Sequence, residues 1–196
     1  DYFDSKLILF NKLMKKNSYI IFDNDLDISK KLTRISKLNK LKKMTLGDKN
    51  SNLRIIEHKF IKSRQEISFS LNNKIYNFST NLIGKIQIKN LLMSILAAYK
   101  SNISIKKIIK IIKKIKSVPG RLEKVGNLKN NSFVILDYAH TPDALETCLK
   151  NIKEQFKLRK INLVFGCGGE RDKPKRKIMG RIANNYCNKI YLTDDN

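Results

Sequence analysis

No run of this 196-residue chain approaches the ~20 consecutive apolar residues that span a bilayer, and no signal-peptide pattern opens it. These absences argue against a membrane protein and make the cytoplasm the expected compartment. Cysteine is scarce too. Cys148, Cys167 and Cys187 form no CxxC pair, and no histidine stands near them at metal-ligand spacing, so a zinc site is not expected. An odd number of thiols without a disulfide framework suits a reducing environment. Negative charge is in short supply: 17 Asp and Glu face 41 Lys and Arg, a formal charge of +24. That excess raises nucleic-acid binding as an alternative, but no RNP, helix-turn-helix or zinc pattern accompanies it. Aromatics are only 8% of the chain, and the lysines are spread among Ile and Asn. AT-rich coding produces the same bias, so no specific nucleic-acid partner is expected. Two phosphate-binding signatures are also missing. No glycine loop ends in Gly-Lys-Ser/Thr, and no GxGxxG opens a helix after a strand, which counts against a plain dinucleotide dehydrogenase.

What is present suffices for a core. Hydrophobic residues make up 41% of the sequence, which separates it from disordered chains of similar charge. The chain starts on Asp1 and ends on Asp194-Asp195-Asn196 directly after a strand pattern, so both ends are expected to continue into a longer protein. Phe3, Leu7, Phe10 and Met14 lie at helical spacing and predict an amphipathic helix over residues 1–16. Residues 18–22 (SYIIF) predict a short buried strand, and Asp27 is expected to cap a helix over ISKKLTRISK. From Leu53 to Ser79 the pattern alternates, with Asn72-Asn73 as a turn, predicting a small antiparallel region. Helices are expected over 88–99 and 105–116. The second carries Ile105, Ile108, Ile109, Ile112 and Ile115 as one stripe among six lysines, and packing on its own core is the expected use of that stripe. Ser117-Val118-Pro119-Gly120 breaks the pattern, and a domain boundary is placed there, giving domains 1–117 and 118–196.

The second part alternates strand and helix: 133–136, then 142–157, 161–165, 174–187 and 189–193. This βαβαβ order predicts an α/β fold with a parallel sheet. The unusual polar residues follow the strands: Asp137-Tyr138-Ala139-His140, then Gly166 to Asp172, then Asp194-Asp195-Asn196. In open α/β sheets the ligand lies beyond the carboxyl ends of the strands. The glycine loop, followed by Arg171, Lys173, Lys175 and Arg176, suits a phosphate or carboxylate, and a solvated turn is the plainer alternative. Asp137 could accept from ribose hydroxyls. His140 could carry a proton or meet an anion, although a structural role is common for such a histidine.

The runs PGRLEKVG (119–126), VILDYAHTPDALETCL (134–149), LVFGCGGERDKPKRKIMGRIA (163–183) and LTDDN (192–196) closely resemble the C-terminal domain of the MurE-type Mur ligases. Tyr2-x-x-x-Lys6 resembles the position of a carboxylated lysine in that family. LIGKIQIKNLLMSILAA (82–98) resembles a segment with two asparagines three apart, in which Asn90 keeps the second and Gln87 replaces the first. IIFDNDLD (20–27) is a looser likeness of an Asn/Asp-rich strand end. The resemblance implies the end of a central ATP-binding domain followed by the start of a Rossmann-like C-terminal domain. It implies ATP and Mg²⁺ as cofactors, with Lys6 supporting the metal. Asn90, Arg121, Asp137 and His140 would serve the nucleotide, and Arg171, Asp195 and Asn196 the incoming amino acid. The implied partners are UDP-MurNAc-dipeptide and a free amino acid, with diaminopimelate expected over lysine from the GERDKPKR surroundings, acting on a monomer. A folylpolyglutamate synthetase-like ligase is the related alternative. With the P-loop and UDP-sugar site expected outside residues 1–196, this stretch alone is expected to be inactive.

Overall fold

A computed structural model describes residues 2–47, 50–168 and 172–194. Arg171, Asp195 and Asn196 lie outside the described residues. The chain divides into two compact units. One comprises Asp1–Ile61, Gln65–Thr80 and Ile88–Ile115, and the other Lys62–Arg64, Asn81–Gln87 and Lys116–Asn196.

The first unit begins with α1 (Tyr2–Ile8), which continues as a π-helical turn over Leu9–Leu13. Phe3, Phe10 and Met14 pack on a core of Leu7, Ile20, Phe22, Leu32, Ile35 and Leu41, so the predicted stripe is the buried one. A five-stranded sheet runs in the order β1 (Tyr19–Asp23), β2 (Lys42–Gly47), β3 (Leu53–Ile61), β4 (Arg64–Leu71), β5 (Lys74–Thr80). β1, β2 and β3 are parallel, and β4 and β5 form an antiparallel hairpin with Leu71 opposite Lys74. Asn72 and Asn73 both have positive φ, 50° and 60°, the conformation of a tight hairpin turn. The expected antiparallel pairing is made at β4–β5, and β3, parallel to β2 on one side, has β4 as its bonded neighbour on the other. Helix α2 spans Ser29–Leu38 with Ile28 at its cap and no side-chain bond there, so the cap expected of Asp27 is not made. Asp27 falls one residue too early to reach the first helical N–H groups.

Helix α3 (Lys85–Lys100) buries Ile88, Leu91, Leu92, Ile95 and Leu96, worth roughly 1.5–3 kcal/mol each in transfer free energy. Helix α4 (Ile105–Ile112) is shorter than its periodicity suggests. Ile108 and Ile112 are buried and the helix contacts β5, whereas Ile115 beyond its end is 38% exposed. Its apolar stripe therefore serves the protein's own core.

In the second unit β6 (Glu123–Asn127) pairs antiparallel with β7 (Phe133–Leu136), and β8 (Asn162–Phe165) pairs parallel with β9 (Lys189–Leu192). Among the described residues β7 is not bonded to β8, so the parallel sheet consists of two strands where three were expected. β7 bonds instead to β6, the strand that precedes it in the chain. Helices α5 (Pro142–Gln155) and α6 (Lys173–Tyr186) pack on one another. Two clusters meet at α5. Leu122, Ile83 and Cys148 gather Ile135 from β7, while Leu145, Leu149 and Met179 gather Leu163 and Phe165 from β8. The inward residues of β7 and β8 thus share one helix, and their carboxyl ends deliver the polar loops. No helix among the described residues is long and apolar enough to cross a membrane.

Candidate nucleotide site and the family of the chain

In the second unit the turn at Val118–Leu122 is tied down at consecutive peptides. Arg121 N–H donates to the Val118 carbonyl at 3.0 Å, and Gly120 N–H donates to Glu123 Oε2 at 2.8 Å. Leu122 N–H donates to Asp137 Oδ2 at 2.8 Å. Leu122 has φ of 46° and is 3% exposed. A buried non-glycine residue held in the left-handed region costs of order 1 kcal/mol and persists only where its surroundings over-determine it. Here the apolar cluster takes its side chain and Asp137 its amide. Asp137 follows β7 directly, so the strand end and the turn are joined by one carboxylate. Its second oxygen gives the group further acceptor capacity.

The Arg121 side chain is exposed, and its guanidinium lies 5.1 Å from the centre of the Tyr138 ring. Tyr138 in turn meets His140 edge-on at 5.2 Å. His140 Nδ1 lies 3.1 Å from the Tyr138 carbonyl. A carbonyl only accepts, so Nδ1 carries the proton, and in the neutral ring Nε2 is an acceptor. His140 can therefore offer a second donor to an anion only when protonated. Thr141 caps α5 by accepting from Ala144 N–H, with Pro142 in the first turn and Asp143 beside it.

The first turn of α6 binds two of the loops together. Lys175 Nζ donates to the His140 carbonyl at 3.3 Å, and Arg176 Nη2 donates to the Gly168 carbonyl at 3.2 Å. Thr193 N–H donates to the Phe165 carbonyl at 3.2 Å, which brings the end of β9 alongside the end of β8. Arg121, Asp137, His140 and the start of the glycine loop thus occupy one connected region. Sequence reasoning did not foresee that Tyr138 would be the surface bearing Arg121, or that Gln87 would bond this turn. Gln87 Nε2 donates to the Arg121 carbonyl at 3.0 Å. The pairing of a cation and an aromatic residue beside Asp137 was the available signal for the first. Nothing in local spacing announces the second, which joins residues 34 apart.

In the first unit, Asn90 lies exposed on α3, three residues after Gln87. The next residue back, Lys89, donates to Asp23 Oδ2 at 2.6 Å and lies 3.7 Å from Asp25. Asp23, 3% exposed at the end of β1, also accepts from Asp25 N–H at 3.0 Å. A carboxylate so buried requires such donors, because an unpaired one would carry a large desolvation cost. Lys6 is exposed on α1 with its ammonium 4.4 Å from the Tyr2 ring centre. A carboxylated Lys6 would contribute oxygen ligands, but no group of three His, Cys, Asp or Glu suited to a metal occurs among the described residues. These residues do not by themselves complete a magnesium site.

A family model described as "Mur ligase middle domain" matches residues 1–98, and one described as "Mur ligase, glutamate ligase domain" matches residues 120–196. This chain belongs to the Mur ligase family. It is 38% identical over 199 residues to the UDP-N-acetylmuramoyl-L-alanyl-D-glutamate–2,6-diaminopimelate ligase of Rickettsia bellii (strain RML369-C), covering 100% of this chain and 40% of that relative. A solved structure of a UDP-N-acetylmuramoyl-L-alanyl-D-glutamate–2,6-diaminopimelate ligase superposes with a TM-score of 0.70 at 25% identity, again over 100% of this chain and 40% of that one. An FPGS–AMPPCP–folate complex gives a TM-score of 0.72 at 16% identity, over 92% of this chain and 43% of its own, a likeness of fold alone. This Mur ligase chain thus spans about 40% of the length of the curated relatives it matches. The relatives from Rickettsia bellii and Rickettsia conorii, each matched over 100% of this chain, carry the diaminopimelate-ligase name, in agreement with the MurE-type resemblance of its motifs.

Proposed function

We propose that the protein carrying this chain is an ATP-dependent MurE-type ligase that joins diaminopimelate to UDP-MurNAc-L-Ala-D-Glu in peptidoglycan precursor synthesis. The observation that carries the reading is the tethered turn at Arg121, locked to Asp137 at the carboxyl end of β7, with the guanidinium over Tyr138 and His140 edge-on to that same ring. Residues 1–117 would belong to the central domain and 118–196 to the C-terminal domain. The cytoplasm is its proposed location, with neither a membrane nor a specific nucleic acid as partner, and with a monomer as the working state.

A carboxylate resists attack by an amine, so the proposed reaction has two steps. A substrate carboxylate oxygen bonds to the γ-phosphorus of ATP as the bond to ADP breaks. The amino nitrogen of the second substrate then attacks the acyl carbon, loses a proton and expels inorganic phosphate. Arg121 would neutralise charge on the phosphate oxygens, since negative charge spread over the transferring group is stabilised by a fixed cation. Asp137 would accept from a ribose hydroxyl through the oxygen not bonded to Leu122 N–H, with His140 alongside. Asn90 would serve the adenine side. Arg171, Asp195 and Asn196 are proposed to meet the amino acid, an arginine fork suiting its carboxylate. Bound Mg²⁺, with Lys6 as a carboxylated support, would add Lewis-acid stabilisation of phosphate charge.

The full-length protein should release phosphate only when ATP, UDP-MurNAc-dipeptide and diaminopimelate are all supplied, and should turn over far less with lysine. Equal turnover with lysine would correct the amino-acid assignment. Turnover with a folate and glutamate, and none with the UDP-sugar, would replace the reading by the folylpolyglutamate alternative.

A further inference from the structure

Gln87 departs from the residue type that the motif around Asn90 leads one to expect, and the contact its side chain makes suggests a different use for it. Its Nε2 donates to the Arg121 carbonyl at 3.0 Å. That carbonyl shares one planar peptide with Leu122 N–H, which is bonded to Asp137 at 2.8 Å, so Gln87 and Asp137 grip opposite sides of the same unit. In the peptide before it, Arg121 N–H is bonded to the Val118 carbonyl at 3.0 Å. Gly120, with φ of 66°, and Leu122, with φ of 46°, are both left-handed, so the turn depends on its tethers. With Gln87 bonded, the backbone on both sides of the Arg121 Cα is fixed, while the guanidinium extends over Tyr138.

The support behind Gln87 is also built. The opening turn of α3 has N–H groups without helical partners, and α5 supplies acceptors for two of them. Gln155 Oε1 accepts from Gly84 N–H at 2.8 Å, and Asn151 Oδ1 accepts from Ile86 N–H at 3.2 Å. Glu154 adds an ion pair to Lys85 at 3.1 Å. Residues 151, 154 and 155 share one face of α5 at helical spacing, and Gln155 is only 6% exposed. The same Asn151 donates to the Thr147 carbonyl at 2.8 Å, which fixes its amide. Gln87 thus extends from a turn that is itself clamped. A free amide reading a base would turn its nitrogen and oxygen toward the ligand, whereas here one Nε2 N–H is held by the protein's own backbone, which fixes the plane of the amide.

The geometry points to Gln87 as a positioning residue for Arg121: it fixes the peptide from which the guanidinium is aimed at the nucleotide's phosphates, and it does not select the base. This rests on the nucleotide-site reading given above. The two fail differently. If the unaltered full-length protein does not bind ATP, that reading falls, whatever Gln87 does.

The test is nucleotide affinity of the full-length protein, measured by calorimetry with ATP, AMP and GTP, for the unaltered protein, Gln87→Met, Arg121→Met and the double variant. Methionine matches the length of glutamine and lacks the donor. Gln87→Met should weaken ATP about 3- to 10-fold, the range of one hydrogen bond, and change AMP less than about twofold, because AMP lacks the outer phosphates. The preference for ATP over GTP should stay as it was. In the double variant the loss should match Arg121→Met alone, since a residue acting through another has nothing left to act on. Should Gln87→Met fail to fold, Gln87→Asn, too short by one methylene to reach the carbonyl, takes its place. Equal losses for ATP and AMP, a changed ATP-to-GTP ratio, additive losses in the double variant, or no loss at all would each overturn the assignment.

Discussion

Gly84 has φ of 84°, and a Cβ added there would lie 2.9 Å from Asn151 and 2.9 Å from Leu122. Both neighbours belong to the set that holds the Arg121 turn, so neither can move without loosening it. Gly84→Ala therefore combines a left-handed alanine with two close contacts, and it should destabilise the protein by about 1–3 kcal/mol. Urea denaturation would measure it, and an unchanged midpoint would show that the segment is more pliant than its contacts suggest. Cys148 is a different case, in which burial outranks chemistry. Desolvation, with the Asp137 carboxylate adding to it, pushes its thiol up from 9.0 to about 12. The folded state thus binds a proton that the unfolded chain releases earlier. The resulting stability is complete below about pH 9 and is lost as pH rises through about 12. Stability measured against pH should fall more steeply over that window in the native sequence than in Cys148→Ala. At pH 8 Cys148 should also be the slowest of the three thiols to react with a disulfide reagent.

Elements were legible wherever one period dominated. The stripe Phe3, Leu7, Phe10, Met14 and the run Phe133–Leu136 sit where their spacing puts them, the first as a buried helix face and the second as β7. Two strands escaped notice. β2 begins with two exposed lysines before its buried Met44, Thr45 and Leu46, and β6 (EKVGN) has no apolar alternation at all. Both are defined by their bonding partners, β1 and β7, and partners are not visible in local pattern. The site divides along the same line. Asp137 and His140 stood out as candidates because they follow a strand, and Arg121 only through the resemblance of the motif around it. The bonds from Gln87 and Gln155 cross 34 and 71 residues of sequence and could not be found that way. Local turn chemistry, by contrast, supports a direct expectation at the β4–β5 hairpin. Asn73 sits at φ of 60° and its side chain is exposed. Asn73→Gly removes the strain of a left-handed residue at the second turn position, where glycine is preferred, and should stabilise by several tenths of a kcal/mol. A lower thermal midpoint would mean that the turn is not of this type in solution.

For the whole molecule the dominant quantity is charge. Between Glu66 and Glu123 no carboxylate interrupts the sequence, while Lys74, Lys85, Lys89, Lys100, six lysines around α4 and Arg121 fall within it. Outside that stretch cations continue on other elements, with Lys30, Lys31 and Lys37 on α2 and Lys173, Lys175 and Lys177 on α6. The excess is therefore distributed over many elements of both units. A field of this kind attracts any polyanion by releasing its counterions, and it carries no means of reading a base sequence. Labelled DNA should bind the protein only weakly at physiological salt, with a Kd on the order of 10⁻⁴–10⁻⁶ M and no preference between sequences. The affinity should fall linearly with salt on a log–log plot, whereas exposed lysines alone should leave the ATP affinity much less sensitive over the same range. The distinction follows from geometry: Arg121, the proposed phosphate contact, is carried on a tethered turn, and the surface lysines would meet DNA as mobile charges screened within about 10 Å at 0.1 M salt. Nanomolar binding to one DNA sequence, persisting as salt is raised, would show that part of this charge is organised into a groove and would reinstate nucleic acid as a specific partner.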